Sequence, residues 1–117
     1  MTGWAGIMEQ TEIAGLIGNL EAEVNNGGFD QFFYNSAGDD TAGTIKALEI
    51  IGALHTADIV KRAAAKFPNL MPPKDRFARQ DILLQISPDA EAFDDLDEEF
   101  YGYPDDLTEL LARYGSK

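Results

Sequence analysis

EQTEIAGLIGNLEAEVNNGGFDQFFYNSAGD, residues 9–39, decides the fold. Within it Ile13, Leu16, Ile17, Leu20 and Val24 recur at helical spacing while Glu12, Glu21 and Glu23 fall off that stripe, so residues from about 9 to 25 read as an amphipathic helix. Asn26, Gly27 and Gly28 should end it. A short helix is expected over residues 29–34, with Phe29, Phe32 and Phe33 on one face, closed by the turn-rich residues 36–39. Gln31, Asn35 and Asp39 are spaced by four, which predicts a polar scaffold bonding the surrounding turns from one face. Glycines ahead of a helix can also expose N–H groups to an anion. A helix stop followed by a buried aromatic cluster accounts for the same residues with fewer assumptions.

Downstream the same period continues. Asp40 or Thr41 is placed to cap a third helix buried through Ile45, Leu48, Ile51 and Leu54, and Thr56 to cap a fourth running to about Phe67. Pro68, Pro72 and Pro73 punctuate a loop, after which Asp75 can cap a fifth helix carrying Phe77, Ile82, Leu83 and Ile86. Ser87 followed by Pro88 predicts the start of a sixth, and Leu107, Leu110, Leu111 and Tyr114 define the last. No stretch shows the apolar/polar alternation of a strand. The expected fold is therefore all-α, a compact bundle of about six to seven helices forming one domain over residues 1–117, with roughly the first eight residues loosely ordered.

Composition narrows the function classes. Apolar residues make up 44% of the 117-residue chain and charged residues 26%, ordinary values for a globular protein. There is no cysteine, hence no disulfide, thiolate metal site or thiol nucleophile. No basic residue precedes the short N-terminal apolar stretch, and no run approaches the roughly 20 apolar residues of a spanning helix, so a soluble cytoplasmic protein is expected. The formal net charge of −12 argues against direct contact with nucleic acid or an anionic membrane, since both need Lys or Arg to neutralise them.

That charge is segregated. Residues 1–40 hold 7 acids and no Lys or Arg, residues 41–80 hold 3 acids and 7 bases, and residues 81–117 hold 11 acids and 2 bases. On the expected sixth helix, Phe93, Leu96 and Phe100 would face the core, which puts Glu91, Asp94, Asp95 and Glu98 on the solvated side. No basic residue is interleaved. Like charges four apart destabilise a helix by a few tenths of a kcal/mol per pair, so a local rule is broken where function is often found. One helical turn rises about 5.4 Å, a spacing of the same order as phosphates along a nucleic-acid strand. Asp97 lies nearer the apolar stripe and reads as a structural hydrogen-bonding residue. Asp105, Asp106 and Glu109 sit at the start of the last helix, where the helix dipole also favours carboxylates. The acids expected to face a partner are thus Glu91, Asp94, Asp95, Glu98, Glu99, Asp105, Asp106 and Glu109. Whether Lys61, Arg62, Lys66, Lys74, Arg76 and Arg79 fold back to neutralise them decides how negative that face remains; Asp58 can absorb Arg62 from one turn away.

Three blocks carry a resemblance: NNGGFDQFFYNSAGD at residues 25–39, ALEIIGALHTADIVKRAAAKFP at 47–68, and LDEEFYGYPDDLTELLARY at 96–114. Together they resemble a bacterial family of small helical domains that includes a DNA-mimic protein. In the first block Asn26, Gly27, Gly28, Phe29, Gln31, Phe32, Asn35, Gly38 and Asp39 fall at family-like positions without a gap. What the resemblance implies is an all-α protein whose surface acids imitate DNA phosphates and occupy the DNA-binding surface of a helix-turn-helix regulator. The basic middle segment departs from that picture.

The expected function is accordingly a DNA-mimic interaction protein, not an enzyme, competing for a basic DNA-binding partner; a homodimer is compatible with the sequence. A small enzyme or ligand-binding domain built on Asn26, Gln31, Asn35 and Asp39 is the alternative, provided those side chains converge on a cleft. A generic acidic accessory domain is the third. The lone His55 has no nucleophile pattern beside it and reads as a solvated boundary residue. An EF-hand starting at Asp94 or Asp95 would need Gly at its sixth position, where Glu99 or Phe100 stands, so no metal and no cofactor are expected.

Overall fold

The computed structural model describes residues 8–116 and consists there of six α-helices with no strand. They are α1 (Gln10–Tyr34), α2 (Thr41–Ile50), α3 (Leu54–Ala64), α4 (Arg76–Ile86), α5 (Asp94–Tyr101) and α6 (Leu107–Gly115), with short 3-10 turns at Ser36–Asp40 and Pro68–Leu70. The expectation of a loose start falls on residues 1–7, which lie outside the described residues, and on Met8, which packs partly buried against the core.

The two helices expected across residues 9–34 are the two arms of α1. Ile13, Ile17, Leu20 and Val24 are fully buried on the first arm, and Phe29, Phe32 and Phe33 on the second. Between them Gly27 (φ −153°) and Gly28 (φ 73°) leave helical geometry. Gly28 has no substitute here: its φ lies in the left-handed region, and a Cβ would overlap the Asp97 carboxylate. The break frees backbone groups that α5 then takes up. Asp97 Oδ1 accepts from Phe29 N at 2.8 Å, and the Tyr101 hydroxyl donates to Val24 O at 3.0 Å. Asp97 thus has the structural role its place near the apolar stripe predicted.

Around the elbow the aromatic side chains form one cluster, with Phe29, Phe32 and Phe33 joined by Phe67, Phe93 and Phe100 at centroid distances from 4.9 to 6.3 Å. Ile45, Leu48 and Ile51 bury as expected from α2, which Asp40 caps through Gly43 N at 2.9 Å. Asp75 caps α4 through Ala78 N at 2.8 Å.

Four expectations are corrected. Leu54 begins α3 and is 62% exposed, because a turn at Ile51–Gly52 breaks the register of the α2 stripe. Thr56 is the third residue of α3, not its cap; Asp105, from the segment before α6, accepts from Thr56 N at 2.7 Å and from its hydroxyl at 2.9 Å. Ser87 does not start a helix. Residues 88–92 form turns with Ala90 at φ 58°, and α5 begins only at Asp94. Phe77 is 76% exposed, because the inward position of α4 belongs to Arg79, which is fully buried, with Leu83 one turn on. Two helical residues turn the chain by about 200°, so Phe77 and Arg79 face opposite ways.

Candidate functional site

Arg79 explains much of the local geometry. Its guanidinium donates to the carbonyls of Phe33 (2.6 Å), Pro73 (3.0 Å), Lys74 (3.1 Å) and Asn35 (2.9 Å) and to Asp39 Oδ1 (2.7 Å). One planar fork thereby ties the end of α1 to the loop before α4. Gly38 lies so close that a Cβ would press on Phe32 O and Arg79 Nε. Asp39, also paired with Arg76 at 3.4 Å, has its carboxyl held below the ordinary range, chiefly by Arg79.

The polar cluster expected of Asn26, Gln31, Asn35 and Asp39 therefore does not assemble as one face. Asn35 is already extended (φ −97°, ψ 176°), so the spacing of four no longer carries to Asp39. Gln31 and Asn35 converge instead on Glu23 from the first arm: Gln31 Nε2 donates to Oε1 at 2.9 Å and Asn35 Nδ2 to Oε1 at 3.0 Å, while Asn26 Nδ2 donates to Gln31 Oε1 at 3.0 Å. A polar groove of about 530 Å³ opens at this elbow.

The eight acids expected to face a partner divide by their actual contacts. Glu99 makes two bonds to Arg62, at 2.7 and 2.9 Å, and its carboxyl is lowered chiefly by them. Asp105 is nearly covered. Burial alone would raise its carboxyl, but the two Thr56 bonds and His55, whose Nδ1 is 3.2 Å away, hold it below the ordinary range. Glu109 pairs with Arg113, and Asp106 caps α6 through Glu109 N at 3.1 Å. Those four have bonding partners within the protein. Asp94, Asp95 and Glu98 project from α5 exposed and without an ion pair among the described residues, and Glu91 is exposed in the turn that precedes it. Glu91 and Asp95 are thus not a pair on one helix, since α5 starts three residues after Glu91.

Two further acids enlarge that face. Asp30 on the second arm of α1 is raised by burial, with the Asp94 charge adding to it, and Asp97 is raised by burial and by Asp30 and Asp94, against the lowering bond from Phe29 N–H. Tyr101 is also raised, first by burial and then by Asp97 and Asp94. Acids from two helices therefore lie near enough to repel one another. Asp30 carries no repeat signal and was absent from the expected acids; its place beside α5 follows from the elbow at Gly28. Among the described residues no group of three or more acidic, histidine or cysteine side chains is placed to hold a metal ion.

Four residues of the basic midsection are engaged mostly elsewhere, and Lys66 and Lys74 make no ion pair among the described residues. Lys61 pairs with Glu49 at 2.6 Å, Arg62 with Asp58 and Glu99, and Arg76 and Arg79 with Asp39. Only Glu99 on α5 is neutralised by it.

Among the described residues no helix is long and apolar enough to cross a membrane. No curated protein and no solved structure shows a match to the chain. Residues 8–117 match the DMP19-like protein family, a DNA-mimic family of small all-helical proteins, and with the all-α architecture above this match, which covers all but the first seven residues, places the chain in that family.

Proposed function

We propose that this chain acts by binding, not catalysis, as a DNA mimic: its α5 face presents carboxylates where a basic DNA-binding protein expects phosphates, and it competes with DNA for that protein in the cytoplasm. The observation that carries the proposal is the unneutralised state of Asp94, Asp95 and Glu98, with Glu91 and Asp30 beside them, while Lys61, Arg62, Arg76 and Arg79 are paired with other acids. A carboxylate row on a rigid helix offers fixed negative charge without the flexibility of an acidic tail, and its attraction for a cationic groove reaches over about 10 Å at 0.1 M salt. Helix-turn-helix regulators present such a groove-reading, phosphate-contacting surface.

Gel-shift competition against a panel of basic helix-turn-helix regulators at low salt tests it. Labelled operator is released from at least one regulator by the wild-type chain and not by Asp94→Asn/Asp95→Asn/Glu98→Gln. Retention of DNA across the whole panel, or equal release by the triple variant, contradicts it.

A further inference from the structure

The elbow of α1 holds a second arrangement that the acidic face does not use. Because the chain turns back at Gly27–Gly28, Glu23 on the first arm comes to stand against Gln31 and Asn35 on the second, at the wall of the 530 Å³ groove that Asn19, Asn26 and Ser36 also line. That size is within the usual range for small-ligand sites. Glu23 is half-buried, and its only hydrogen-bond donors among the described residues are two neutral amides. No lysine or arginine pairs with it, and the first 40 residues contain none. A carboxylate has about four acceptor positions, and the two amides fill three of them, fixing the rotamer and leaving Oε2 the less occupied oxygen, with Asn35 Nδ2 at 3.2 Å. Asn19 and Ser36 have no side-chain hydrogen bond among the described residues, and Asn26 donates to Gln31 while its own side-chain oxygen lacks a donor.

The groove thus presents one pre-oriented carboxylate among neutral amide and hydroxyl groups, of which the side-chain oxygens of Asn19, Asn26 and Ser36 accept no bond among the described residues. A small anion would meet the Glu23 charge, and an apolar ligand would strand every polar group in the wall. A planar cation with several N–H donors meets both requirements, Oε2 of the carboxylate taking one N–H bond and the neighbouring side-chain oxygens the rest. We propose that this elbow is a binding site for a guanidinium group, anchored on Glu23 and bounded by Asn19, Asn26, Gln31 and Ser36. The group could belong to an arginine side chain of a protein or to a free guanidino compound; the recognising chemistry is the same. The site does not depend on DNA mimicry by α5.

Titration of the ¹⁵N-labelled full-length chain, followed by amide chemical shifts, tests it with four probes: agmatine and N-acetyl-arginine amide, which carry the guanidinium, the N-acetyl amide of citrulline, whose ureido group is the uncharged isostere, and putrescine, a cation without the planar guanidinium. Saturable shifts are expected at Asn19, Glu23, Gln31 and Ser36, with the citrulline amide and putrescine binding about tenfold more weakly or worse. Agmatine binding alone assigns a free guanidino compound, and N-acetyl-arginine amide binding alone assigns a protein side chain. Glu23→Gln lowers affinity about tenfold. Asn19→Leu obstructs the groove without removing any hydrogen bond, so its loss of binding is not a folding effect; Asp94→Asn/Asp95→Asn/Glu98→Gln leaves binding within about twofold. Absence of saturation by both guanidinium probes, equal binding of the citrulline amide or putrescine, an unchanged Glu23→Gln, or an equal loss in the α5 triple variant overturns the proposal.

Discussion

Two residues carry more of the architecture than their types advertise. Arg79 reads on paper as one more surface base, yet it stands four before Leu83 and three before Ile82, on the inward row of α4. The helical period placed it inside; the assumption that charged residues stay out is what hid it. Replacing it by Ala strands the carbonyls of Phe33, Asn35, Pro73 and Lys74 and should destabilise the fold by about 3–5 kcal/mol, read from urea midpoints, and Lys should not rescue because a single ammonium cannot span the fork. At Gly28 the sequence was more open. A helix break there is legible from the Gly-Gly pair, but the bond from the next residue, Phe29 N, to Asp97, 68 positions on, is not. Gly28→Ala should destabilise by about 1–3 kcal/mol, through the left-handed backbone and the displaced carboxylate. Asp97→Asn keeps an acceptor for Phe29 N–H while removing a charge whose carboxyl is raised by burial. A raised folded-state value means the native protein binds its proton more tightly than the unfolded chain, so wild type gains stability as pH falls through the raised value toward about 3.8 and loses it on the way up. Against the non-titrating Asn variant, wild type should therefore fare better at pH 3 than at pH 7 in the same denaturation series. A constant difference between the two would contradict this assignment.

Elements were legible where their own residues cap and pack them, and obscure where another segment does. α2 and α4 carry their caps, Asp40 and Asp75, at the positions the sequence suggests. α3 does not: the Thr56 N–H in its first turn is met by Asp105, 49 positions on, so local reading offers Thr56 as the cap and places Asp105 among the partner-facing acids. Asp105→Ala removes that distant cap and should destabilise the protein by about 1–2 kcal/mol in thermal denaturation, an effect an acid free to meet a partner would not have. The start of α5 was misplaced for a related reason. Ser87 and Pro88 form a cap-like pair, but Ser87 Oγ accepts weakly from Ala92 N at 3.3 Å across a loop, and the helix waits for Asp94. Its first turn then carries Asp94, Asp95 and Asp97, where the helix dipole favours them, which offsets their mutual repulsion. Neutralising Asp94, Asp95 and Glu98 together should accordingly change stability by less than about 1 kcal/mol, so that any loss of partner binding is separable from unfolding.

Across the whole molecule, charge that is segregated along the chain becomes charge divided by use. Sequence order revealed the excess of acids but not which acids already had partners, because pairs such as Arg62 with Glu99 and Arg79 with Asp39 join residues 37 and 40 positions apart. Half of the acids expected at the interface already have partners within the protein; the remainder gather on α5 and the turn before it, with Asp30 alongside. The claim on which the account turns is that this remainder substitutes for phosphates. The most direct test is the affinity of the chain for a regulator it displaces from DNA, measured by isothermal calorimetry in 50 to 300 mM salt for wild type and for Asp94→Asn/Asp95→Asn/Glu98→Gln. Wild type should bind tightly at low salt and weaken steeply as salt rises, while the triple variant binds weakly throughout with a flattened dependence. Equal affinity and equal salt dependence for the two proteins would contradict the account.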